Sequence, residues 1–413
     1  MVIPEGWKKV KIKDITDVFA GGTPDTNVPE YWGGNIPWMN SGDLKFKFIC
    51  KVDGRITSEG MDSSSTHFIP IGSVLVGLAG QGKTRGTVAY NKIELCTNQS
   101  IAAIYPNQLK FDSLYLYYFM DTQYALLREL SSGGGGRGGL NKNIILEYEI
   151  YLPIDISEQT AIATALSDMD DLIASLEKLL AKKQGIKQGA MQDLLTGRKR
   201  LKGFSGKWNV IRVSEFAQCL RGVAYNAATD LVLNESGETI KLLRANNVQD
   251  GQFVDRDVQV IKEECVRDYQ IMQSNDILIC MANGSRDLVG KNCILTELPV
   301  NTYTFGAFMG CIRCKEQHAV DAYYLFLILN SDMFYKNVSI ALSGSSINNL
   351  KPSDIEDMQF LFPDIAEQRA IATLLSDMDD EITALQQKLA KYRQIKQGMM
   401  AELLTGRIRL KEA

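Results

Sequence analysis

Apolar residues recur along two stretches of the chain in alternating steps of four and three residues. The positions are Ile162, Leu166, Met169, Ile173, Leu176 and Leu180, and then Ile371, Leu375, Met378, Ile382, Leu385 and Leu389. This is the a/d spacing of helices that pack as a coiled coil. Neither stretch contains proline, and the Thr-Gly pairs at 196–197 and 405–406 are typical of helix ends. The pattern predicts two helices of about 38 residues, each roughly 55 Å long.

The two stretches are copies of each other. Residues 155–201 and 364–410 align without a gap at an offset of 209, and 31 of 47 positions are identical. A repeat of this strength indicates that one structural unit occurs twice. About 160 residues lie between the two helices, which is enough for a whole domain. We therefore expect the helices to pair as an antiparallel coiled coil, with one domain at each end and a pseudo-twofold axis between them.

The region before each helix predicts a mixed α+β domain with much strand. Short β-branched runs alternate with Gly, Asn and Asp, as they do between strands and turns. The two regions resemble each other weakly. WKKVKI at 7–12 and WNVIRV at 208–213 open them, and GSVLVG at 72–77 shares its pattern with NDILIC at 275–280.

Each region also has an aromatic helix candidate, at 113–130 and 322–337, and a final strand that ends in proline. The repeat unit is therefore a domain followed by a helix. The predicted divisions are domain 1–154, helical region 155–203, domain 204–363 and helical region 364–413. The helices stayed alike while the domains diverged, which indicates one task shared by the helices and two different targets for the domains.

Composition limits the possible functions only loosely. The chain has 413 residues, too many for one ordinary domain, with 45% hydrophobic and 23% charged residues. It has no apolar run long enough for a membrane span and no signal-peptide pattern, and its eight cysteines show no spacing pattern, so we expect a cytoplasmic protein. The net charge is −4 and no segment is strongly basic. Any contact with DNA must therefore come from local patches.

Several motifs together resemble a known family over nearly the whole chain. GGTP at 21–24 and YWGGNIPW at 31–38 open the first domain, and EQ…AIA from Glu158 with LLTGR from Leu194 recurs from Glu367 and Leu403. In this order they resemble the specificity subunits of type I restriction-modification enzymes. The resemblance implies two target-recognition domains, each reading one half of a split DNA site. The second domain departs from the opening signature, with Arg221-Gly222-Val223-Ala224 at that place.

The resemblance also implies partners. Two methyltransferase subunits would dock on the helix pair, which would set the spacing of the half-sites, and restriction subunits could join them. S-adenosylmethionine and ATP are then expected on the partner subunits, and no cofactor on this chain. Because the two domains differ, the expected site is asymmetric. Domains some 50 Å apart would read half-sites roughly one to one and a half helical turns apart.

One motif suggests an enzyme instead. GLAGQGKT at 77–84 matches the phosphate-loop pattern GxxxxGK[ST] letter for letter. That mechanism needs a helix after the loop, but RGTVAY follows, which has the character of a strand. We interpret the segment as a glycine-rich turn that presents Gln81, Lys83 and Arg85 to DNA; a solvated hairpin is the alternative.

Polar loops supply the other candidate DNA contacts. Asn and Arg can bond adenine and guanine edges through two hydrogen bonds, although Asn is equally suited to turns. The cations of the glycine-rich loop at 131–142 could reach a groove, or the loop could be a plain linker. The candidate DNA-binding residues are Thr23, Asn40, Ser41, Lys45, Gln81, Lys83, Arg85, Arg137, Lys142, Arg221, Arg244, Asn246, Asn247, Asn283, Ser285, Arg286 and Asn348.

Other patterns give little support for chemistry on this chain. Cys311, Cys314 and His318 lack a second ligand pair, so buried strand cysteines are the better interpretation and no metal site is expected. Asp168 and Asp170 point apart on a helix. The chain has only two histidines and no Asn-Pro-Pro-aromatic methyltransferase motif. A non-catalytic reader of DNA is therefore predicted, and the alternatives are a coiled-coil scaffold with two protein-binding domains and a phosphate-loop NTPase.

Overall fold

The computed structural model describes residues 3–80, 82–131, 139–299, 302–315, 320–343 and 348–410. Contacts within the chain divide it into two compact units. The first unit is Met1–Lys178 with Gln387–Ala413, and the second is Leu179–Gln386. Each unit contains one globular region, the beginning of the long helix that follows it and the end of the other long helix. This division cuts through both helices, whereas the division predicted from the repeat runs in sequence order.

The first unit has small sheets and short helices, and α5 begins in it. The strands are β1 (Trp7–Lys11), β2 (Val18–Ala20), β3 (Trp32–Met39), β4 (Phe48–Ile49), β5 (Arg55–Ile56), β6 (Val74–Gly77), β7 (Val88–Asn91), β8 (Cys96–Thr97), β9 (Ile101–Ile104) and β10 (Glu149–Pro153). The helices are α1 (Ser58–Asp62), α2 (Ser113–Thr122), α3 (Tyr124–Leu130), α4 (Lys142–Leu146) and α5 (Ile156–Leu194).

The second unit repeats this inventory with small changes, and α10 begins in it. The strands are β11 (Asn209–Arg212), β12 (Ala217–Arg221), β13 (Leu231–Val232), β14 (Thr239–Leu243), β15 (Val248–Gln249), β16 (Gln252–Phe253), β17 (Gln259–Lys262), β18 (Asp276–Cys280), β19 (Asn292–Leu295), β20 (Tyr303–Phe305), β21 (Met309–Cys314) and β22 (Gln359–Phe362). The helices are α6 (Val213–Phe216), α7 (Ala322–Leu329), α8 (Asp332–Ser343), α9 (Pro352–Glu356) and α10 (Ile365–Leu403).

Both globular regions have the same strand order. The largest sheet of the first is ordered β2-β9-β6-β7-β4, and the matching sheet of the second is β12-β21-β18-β19. A second sheet contains β5-β3-β8 in one and β17-β14-β20 in the other, with β3 parallel to β8 and β14 parallel to β20. The first strand pairs antiparallel with the last in each region, β1 with β10 and β11 with β22. The weak sequence likeness of the regions therefore corresponds to one shared fold.

The central strands are buried throughout and mostly apolar, apart from Asp276 at the start of β18, whose carboxylate pairs with Arg313 at 2.6 Å. All of β6 and β18 is buried, and one side of each sheet is covered by aromatic helices that follow it in sequence. Tyr115 and Tyr118 of α2 are buried in the first core, and Tyr324 of α7 in the second. Each predicted aromatic helix is in fact two. The breaks fall at Gln123, whose side chain accepts a hydrogen bond from Tyr148 (3.1 Å), and at Asn330, whose side chain donates to Asn292 (2.8 Å).

Within each unit the two long-helix segments run antiparallel. In the first unit Glu158, Asp170 and Glu177 form ion pairs with Arg409, Lys396 and Arg393, respectively. In the second unit Lys183, Lys187 and Arg200 form ion pairs with Glu381, Asp379 and Glu367, respectively. As the residue number increases along one segment, the residue number of its ion-pair partner on the other segment decreases. This confirms the predicted antiparallel pairing within each unit, and both helices have 39 residues.

Part of the predicted coiled-coil seam packs elsewhere. Ile162 and Leu166 are fully buried in the core of the first globular region, and Ile371 and Leu375 in that of the second. The first two positions of each a/d series therefore anchor the helix on its own domain. An apolar stripe can pack equally well on another long helix or on a globular region, so the a/d spacing alone did not distinguish these two arrangements. Within the part of the chain that the structure describes, no helix combines the length and apolarity needed to cross a bilayer.

Two buried ion pairs explain why one glutamate and one arginine are identical in both helical repeats. Glu158 is 2% exposed and receives two hydrogen bonds, of 2.5 and 2.6 Å, from the Arg409 guanidinium. Glu367 is 0% exposed and receives two hydrogen bonds of 2.5 Å from Arg200. The hydrogen bonds to these carboxylates raise the pKa of both arginines. We call each pair a glutamate–arginine clamp, since it ties the start of one helix to the residues after the end of the other.

Candidate nucleic-acid interface

Polar segments of the first unit meet at the ends of the strands. The first loop cluster consists of residues 20–24, 40–46, 78–80, 82–87 and 98–100. Main-chain hydrogen bonds join the segments: the Asn98 N–H donates to the Met39 carbonyl at 3.0 Å, and the Leu78 N–H donates to the Ser100 carbonyl at 2.8 Å. Because only main-chain atoms make these two bonds, the bonds themselves place no demand on the side chains at these positions.

The second unit contains the same arrangement. The second loop cluster consists of residues 221–225, 244–247, 281–290, 306–308 and 348–349. Here the Gly306 N–H donates to the Leu243 carbonyl at 3.0 Å, and the Met281 N–H donates to the Phe308 carbonyl at 2.9 Å. These are the two bonds of the first cluster at corresponding positions, so the two clusters can be compared residue by residue.

The comparison pairs Asn40 with Arg244, each directly after its strand. The Asn40 N–H donates to the Asp43 carboxylate (3.3 Å), and the Arg244 N–H donates to the Asn247 side-chain carbonyl (2.9 Å). Each contact closes a short 3₁₀ turn in the same way. The clusters therefore share local backbone geometry even where their sequences have no residue in common.

A close backbone contact requires glycine at one position in each cluster. A Cβ atom on Gly21 would lie 2.0 Å from the Thr97 carbonyl oxygen, and one on Gly222 would lie 2.1 Å from the Gly306 carbonyl oxygen. Both distances are far below van der Waals contact. Gly222 thus occupies the place of Gly21, which corrects the expected alignment by one residue, because Arg221 had been placed there. Arg221 is instead exposed at the end of β12.

The first cluster presents several predicted contacts to its surface. The Thr23 hydroxyl donates to the Gln99 side chain at 2.5 Å, and the Asn40 side chain accepts a main-chain N–H at 2.8 Å as a cap. Ser41 follows Asn40 in the same turn and is half-buried. The Lys45 ammonium lies 5.0 Å from the ring centre of Phe46, which is 61% exposed.

The β6–β7 loop is anchored on α3. The Tyr124 hydroxyl donates to the Lys83 carbonyl at 3.2 Å, and the Arg85 guanidinium donates to the Ser131 hydroxyl at 3.3 Å. The Lys83 side chain is exposed. Lys142 begins α4, and its ammonium lies 5.2 Å from a phenylalanine ring. Two further predicted contacts, Gln81 and Arg137, lie outside the described residues.

The phosphate-loop pattern does not have phosphate-loop geometry. After Thr84 the chain turns into β7, which pairs antiparallel with β6 in register Val76 to Val88. A phosphate loop instead leads into a helix whose N-terminal N–H groups face the phosphate. Strand, turn and antiparallel strand form a hairpin, which fits both a glycine-rich turn that contacts DNA and a solvated hairpin.

Four of the eight predicted residues of the second domain line one cavity of about 970 Å³. Its lining includes Tyr225, Arg244, Asn246, Asn283, Phe308 and Asn348. The Asn283 main-chain N–H donates to the Asn348 main-chain carbonyl at 3.2 Å, and the Asn348 side-chain amide donates to the Gly284 carbonyl at 3.2 Å, so the two segments are joined here. The floor and rim otherwise consist mostly of small residues, so a planar group could enter.

Asn247 is a different case. Its side chain is completely buried, and its amide donates to the carbonyls of Val254 (2.9 Å) and Arg256 (3.0 Å). Asn247 therefore serves the turn, and we leave it out of the proposed interface. Arg286 donates to the Ser339 carbonyl at 2.9 Å, which ties its loop to α8, whereas the neighbouring Ser285 is exposed.

The described residues contain no group of three or more potential metal ligands. Cys311 is buried on β21, and burial raises the pKa of its thiol well above the usual range. Cys314 is half-buried on the same strand, and His318 lies outside the described residues. On α5, Asp168 is exposed while Asp170 forms an ion pair with Lys396 at 2.5 Å, so the two carboxylates do not converge.

Sequence reasoning missed three residues of these surfaces. Gln99 is the hydrogen-bond partner of Thr23, and Tyr225 and Phe308 line the cavity of the second cluster. Phe308 belonged to an apparent strand pattern, but β21 begins one residue later. The sequence did offer one signal for Phe308: it follows Gly306 and Ala307, small residues that are typical of a turn before a strand.

Comparison with known proteins agrees with this architecture. The sequence profile of the type I restriction modification DNA specificity domain matches the chain twice, over residues 4–188 and 205–395. The type I restriction enzyme MjaIX specificity subunit of Methanocaldococcus jannaschii is 26% identical over 99% of this chain and 95% of its own length. The MjaVIII specificity subunit of the same organism is 25% identical, over 99% and 94%.

Solved structures agree as well. The S subunit of a type I restriction-modification system from M. genitalium superposes with a TM-score of 0.62 at 16% identity, covering 100% of this chain and 97% of that one. A chain from a type I R-M system solved for complex assembly and conformational transition gives a TM-score of 0.58 at 14% identity, covering 99% of this chain and 100% of that one. These two structures support the fold, and the two profile matches span both globular regions and most of both helices. This chain therefore belongs to the family of the type I restriction modification DNA specificity domain.

Proposed function

We propose that this chain is the DNA-reading subunit of a type I restriction-modification complex, and that each globular region reads one half of a split site. The observation that carries the proposal is the pair of loop clusters, in which the same main-chain hydrogen bonds present different side chains. Two readers of two different half-sequences require this combination. The site read is accordingly asymmetric, because equivalent backbone positions carry different side chains, such as Asn40 in the first cluster and Arg244 in the second.

The side chains of the clusters suit the two kinds of DNA contact. In the second cluster the Arg244 guanidinium matches the guanine O6 and N7 atoms, and the carboxamides of Asn246, Asn283 and Asn348 match adenine N6 and N7. In the first cluster Asn40 and Gln99 offer the same carboxamide chemistry. Exposed lysines beside them, such as Lys83 and Lys45, suit phosphates, which position a protein without reading sequence.

Charge predicts that this chain reads DNA best inside a complex. The net charge is −4, and phosphate contacts supply most of the non-specific affinity of DNA-binding proteins. We therefore expect weak binding by the isolated chain and tighter binding once the methyltransferase subunits are attached.

A repeated groove supports docking of two copies of one partner. In the first unit a cavity of about 830 Å³ lies between α2–α3 and the end of α10, with Met400 and Leu404 in its wall. In the second unit a cavity of about 670 Å³ lies beside α8 and the end of α5, with Met191 and Leu195 in its wall. These wall residues are copies of each other in the helical repeat. We propose that each groove receives the same element of a methyltransferase subunit.

Exposed residues near these grooves support the same proposal. Ile186 and Ile395 are repeat copies and are 48% and 38% exposed. Three residues further along stand Gly189 and Gly398, and nothing lies within 4 Å of the place where a Cβ atom on either would be. Glycine inside a helix costs about 1 kcal/mol relative to alanine, and packing within the chain does not require it here. A partner backbone that approaches closely would require it.

In this proposal the reading subunit performs no chemistry. Methyl transfer from S-adenosylmethionine belongs to the methyltransferase subunits, and ATP-dependent steps belong to restriction subunits where these join. The hairpin geometry after Thr84 supports this over a nucleotide site on this chain. The scaffold alternative would use the same grooves but would bind no DNA.

The test is genome-wide mapping of methylated bases in cells that express this chain together with its methyltransferase subunit. Cells with the methyltransferase subunit alone are the control. A split, asymmetric motif that depends on this chain is the expected result. If both proteins are present and associated but methylation is unchanged, the scaffold alternative is favoured.

A further inference from the structure

A phenylalanine at the rim of the second loop cluster has most of its side chain exposed. Phe308 is 72% exposed, and yet its backbone is firmly held. Its carbonyl accepts hydrogen bonds from the N–H groups of Met281 (2.9 Å) and Ala282 (3.1 Å), and the Met309 N–H donates to the Gly306 carbonyl (2.8 Å) to close the turn. A ring fixed in this way has little backbone freedom to lose when it meets a ligand.

The ring shares its cavity with carboxamides. Phe308, Asn246, Asn283 and Asn348 all line the same space of about 970 Å³. The Asn246 side chain is exposed and makes no hydrogen bond within the part of the chain that the structure covers. The cavity therefore combines an apolar ring with carboxamides, the side-chain groups that can contact adenine N6 and N7. The Asn283 oxygen already accepts from the Ser285 N–H and the Asn348 amide already donates to the Gly284 carbonyl, which leaves the Asn246 carboxamide as the one without a bond among the described residues.

We propose that Phe308 contacts the 5-methyl group of a thymine in the half-site read by the second globular region, and that it determines specificity at that base pair. The inference rests on the proposed function. In the major groove an A·T pair presents adenine N6 and N7 together with the thymine methyl group, and the methyl is the only apolar group on any base-pair edge there. A carboxamide beside an apolar ring matches this edge.

At the position that corresponds to Phe308, the first loop cluster lacks the apolar half of this combination; its exposed ring, Phe46, lies in the 40–46 segment instead. The residue at the corresponding turn position is Ser100, whose carbonyl accepts from Leu78 as that of Phe308 accepts from Met281. A hydroxymethyl side chain has almost no apolar surface to offer a methyl group. The thymine contact should therefore be confined to the second half-site.

The experiment uses the full chain in complex with its methyltransferase subunit and a duplex carrying the mapped motif. Each thymine of the second half-site is replaced in turn by deoxyuridine, which pairs with adenine and lacks only the methyl group. For the natural chain, one replacement should weaken binding about fourfold, the value of one buried methyl-sized group. In Phe308→Ser, which introduces the residue of the first cluster, the same replacement should have no effect.

A matched control is Leu233→Ser, which removes a 99% exposed apolar side chain of the same unit outside the loop cluster. It should leave every deoxyuridine response as it is in the natural chain. Equal deoxyuridine responses in the natural chain and Phe308→Ser would overturn the inference, as would a second half-sequence without an A·T pair. A natural complex that produces no motif dependent on this chain would instead be a failure of the proposed function.

Discussion

The first and second loop clusters have the same main-chain hydrogen bonds but offer DNA different surfaces. Asn40, Gln99 and Ser100 in the first cluster stand where Arg244, Ala307 and Phe308 stand in the second. At these three positions the first surface is polar, and the Thr23 hydroxyl donates to the Gln99 side chain at 2.5 Å. The second is a cavity with carboxamides and an exposed ring. Since the shared bonds use only backbone atoms, recognition can change at these positions while the fold stays the same.

The helical regions show the opposite behaviour. Their identical residues include the glutamate and arginine of both clamps, which are buried and bonded to each other through two hydrogen bonds. A buried ion pair tolerates little change, because the replacement of one partner leaves the charge of the other buried and uncompensated. Identity between the repeats therefore follows partly from packing within the chain, and only the exposed identical residues point to a shared partner.

The largest expected effect is the loss of a clamp. Arg409→Met keeps most of the side-chain length and leaves the buried Glu158 carboxylate without its cation, which should lower the free energy of unfolding by about 3 kcal/mol. Arg200→Met should also destabilise the chain, through Glu367. The measurement is thermal or denaturant unfolding of the purified chain. Arg407→Met is the control, because its exposed pair with Glu402 contributes less than about 1 kcal/mol. A control as destabilising as Arg409→Met would contradict the clamp account.

Variants at corresponding positions of the two clusters should separate the half-sites. Arg244→Ala should cost about 1–3 kcal/mol of discrimination at one base pair of the second half-sequence and leave the first unchanged. Asn40→Ala should do the reverse. Methylation mapping of both variants, with unfolding curves to exclude misfolding, gives the answer. If either variant relaxed both half-sequences, the clusters would not be independent readers.

The glycines of the helical repeat should show a smaller effect in two directions. Gly189→Ala and Gly398→Ala should each stabilise the free chain by up to about 1 kcal/mol and weaken assembly with the methyltransferase subunit. Gly185→Ala is the matched control. Gly185 lies in α5 like Gly189, and nothing lies within 4 Å of the place of its Cβ atom, but its repeat copy is Gln394, so glycine is not shared by both helices at this position. It should stabilise the chain without affecting assembly. Unimpaired assembly of both repeat variants would refute close approach at these glycines.

The smallest expected effect is that of Lys83→Ala. Loss of one phosphate contact should reduce the slope of log affinity against log salt by about 1 and leave the motif unchanged. Binding titrations of the complex over a range of salt concentrations measure this. ATP hydrolysis by the purified chain that disappears in Lys83→Ala would instead support the phosphate-loop alternative.

Much of the architecture follows from sequence because the repeat is long and its helices obey a single period. The two helices were predicted to within about a residue of their 39 residues. The candidate contacts Arg244, Asn246, Asn283 and Asn348 lie in separate segments, and the structure brings them to one cavity. Loops that follow neighbouring strands meet at the sheet ends, so this convergence could be anticipated in outline.

The remaining differences arise where one residue type serves two purposes. Ile162 and Leu166 fit a coiled coil or a domain core, and only the fold distinguishes them. Asparagine suits a base contact or a turn, and the structure shows that the Asn247 side chain is buried within a turn. Phe308 resembles the start of an apolar strand, but the turn from Gly306 ends one residue after it and leaves its ring exposed.

The central claim is that the globular regions are interchangeable readers on a common backbone. The most direct measurement is methylation mapping with a chain in which residues 204–363 are replaced by a second copy of residues 1–154, expressed with the same methyltransferase subunit. The account predicts a site made of two copies of the first half-sequence with an unchanged gap. Persistence of the second half-sequence, or loss of any motif from a folded and assembled complex, would contradict it.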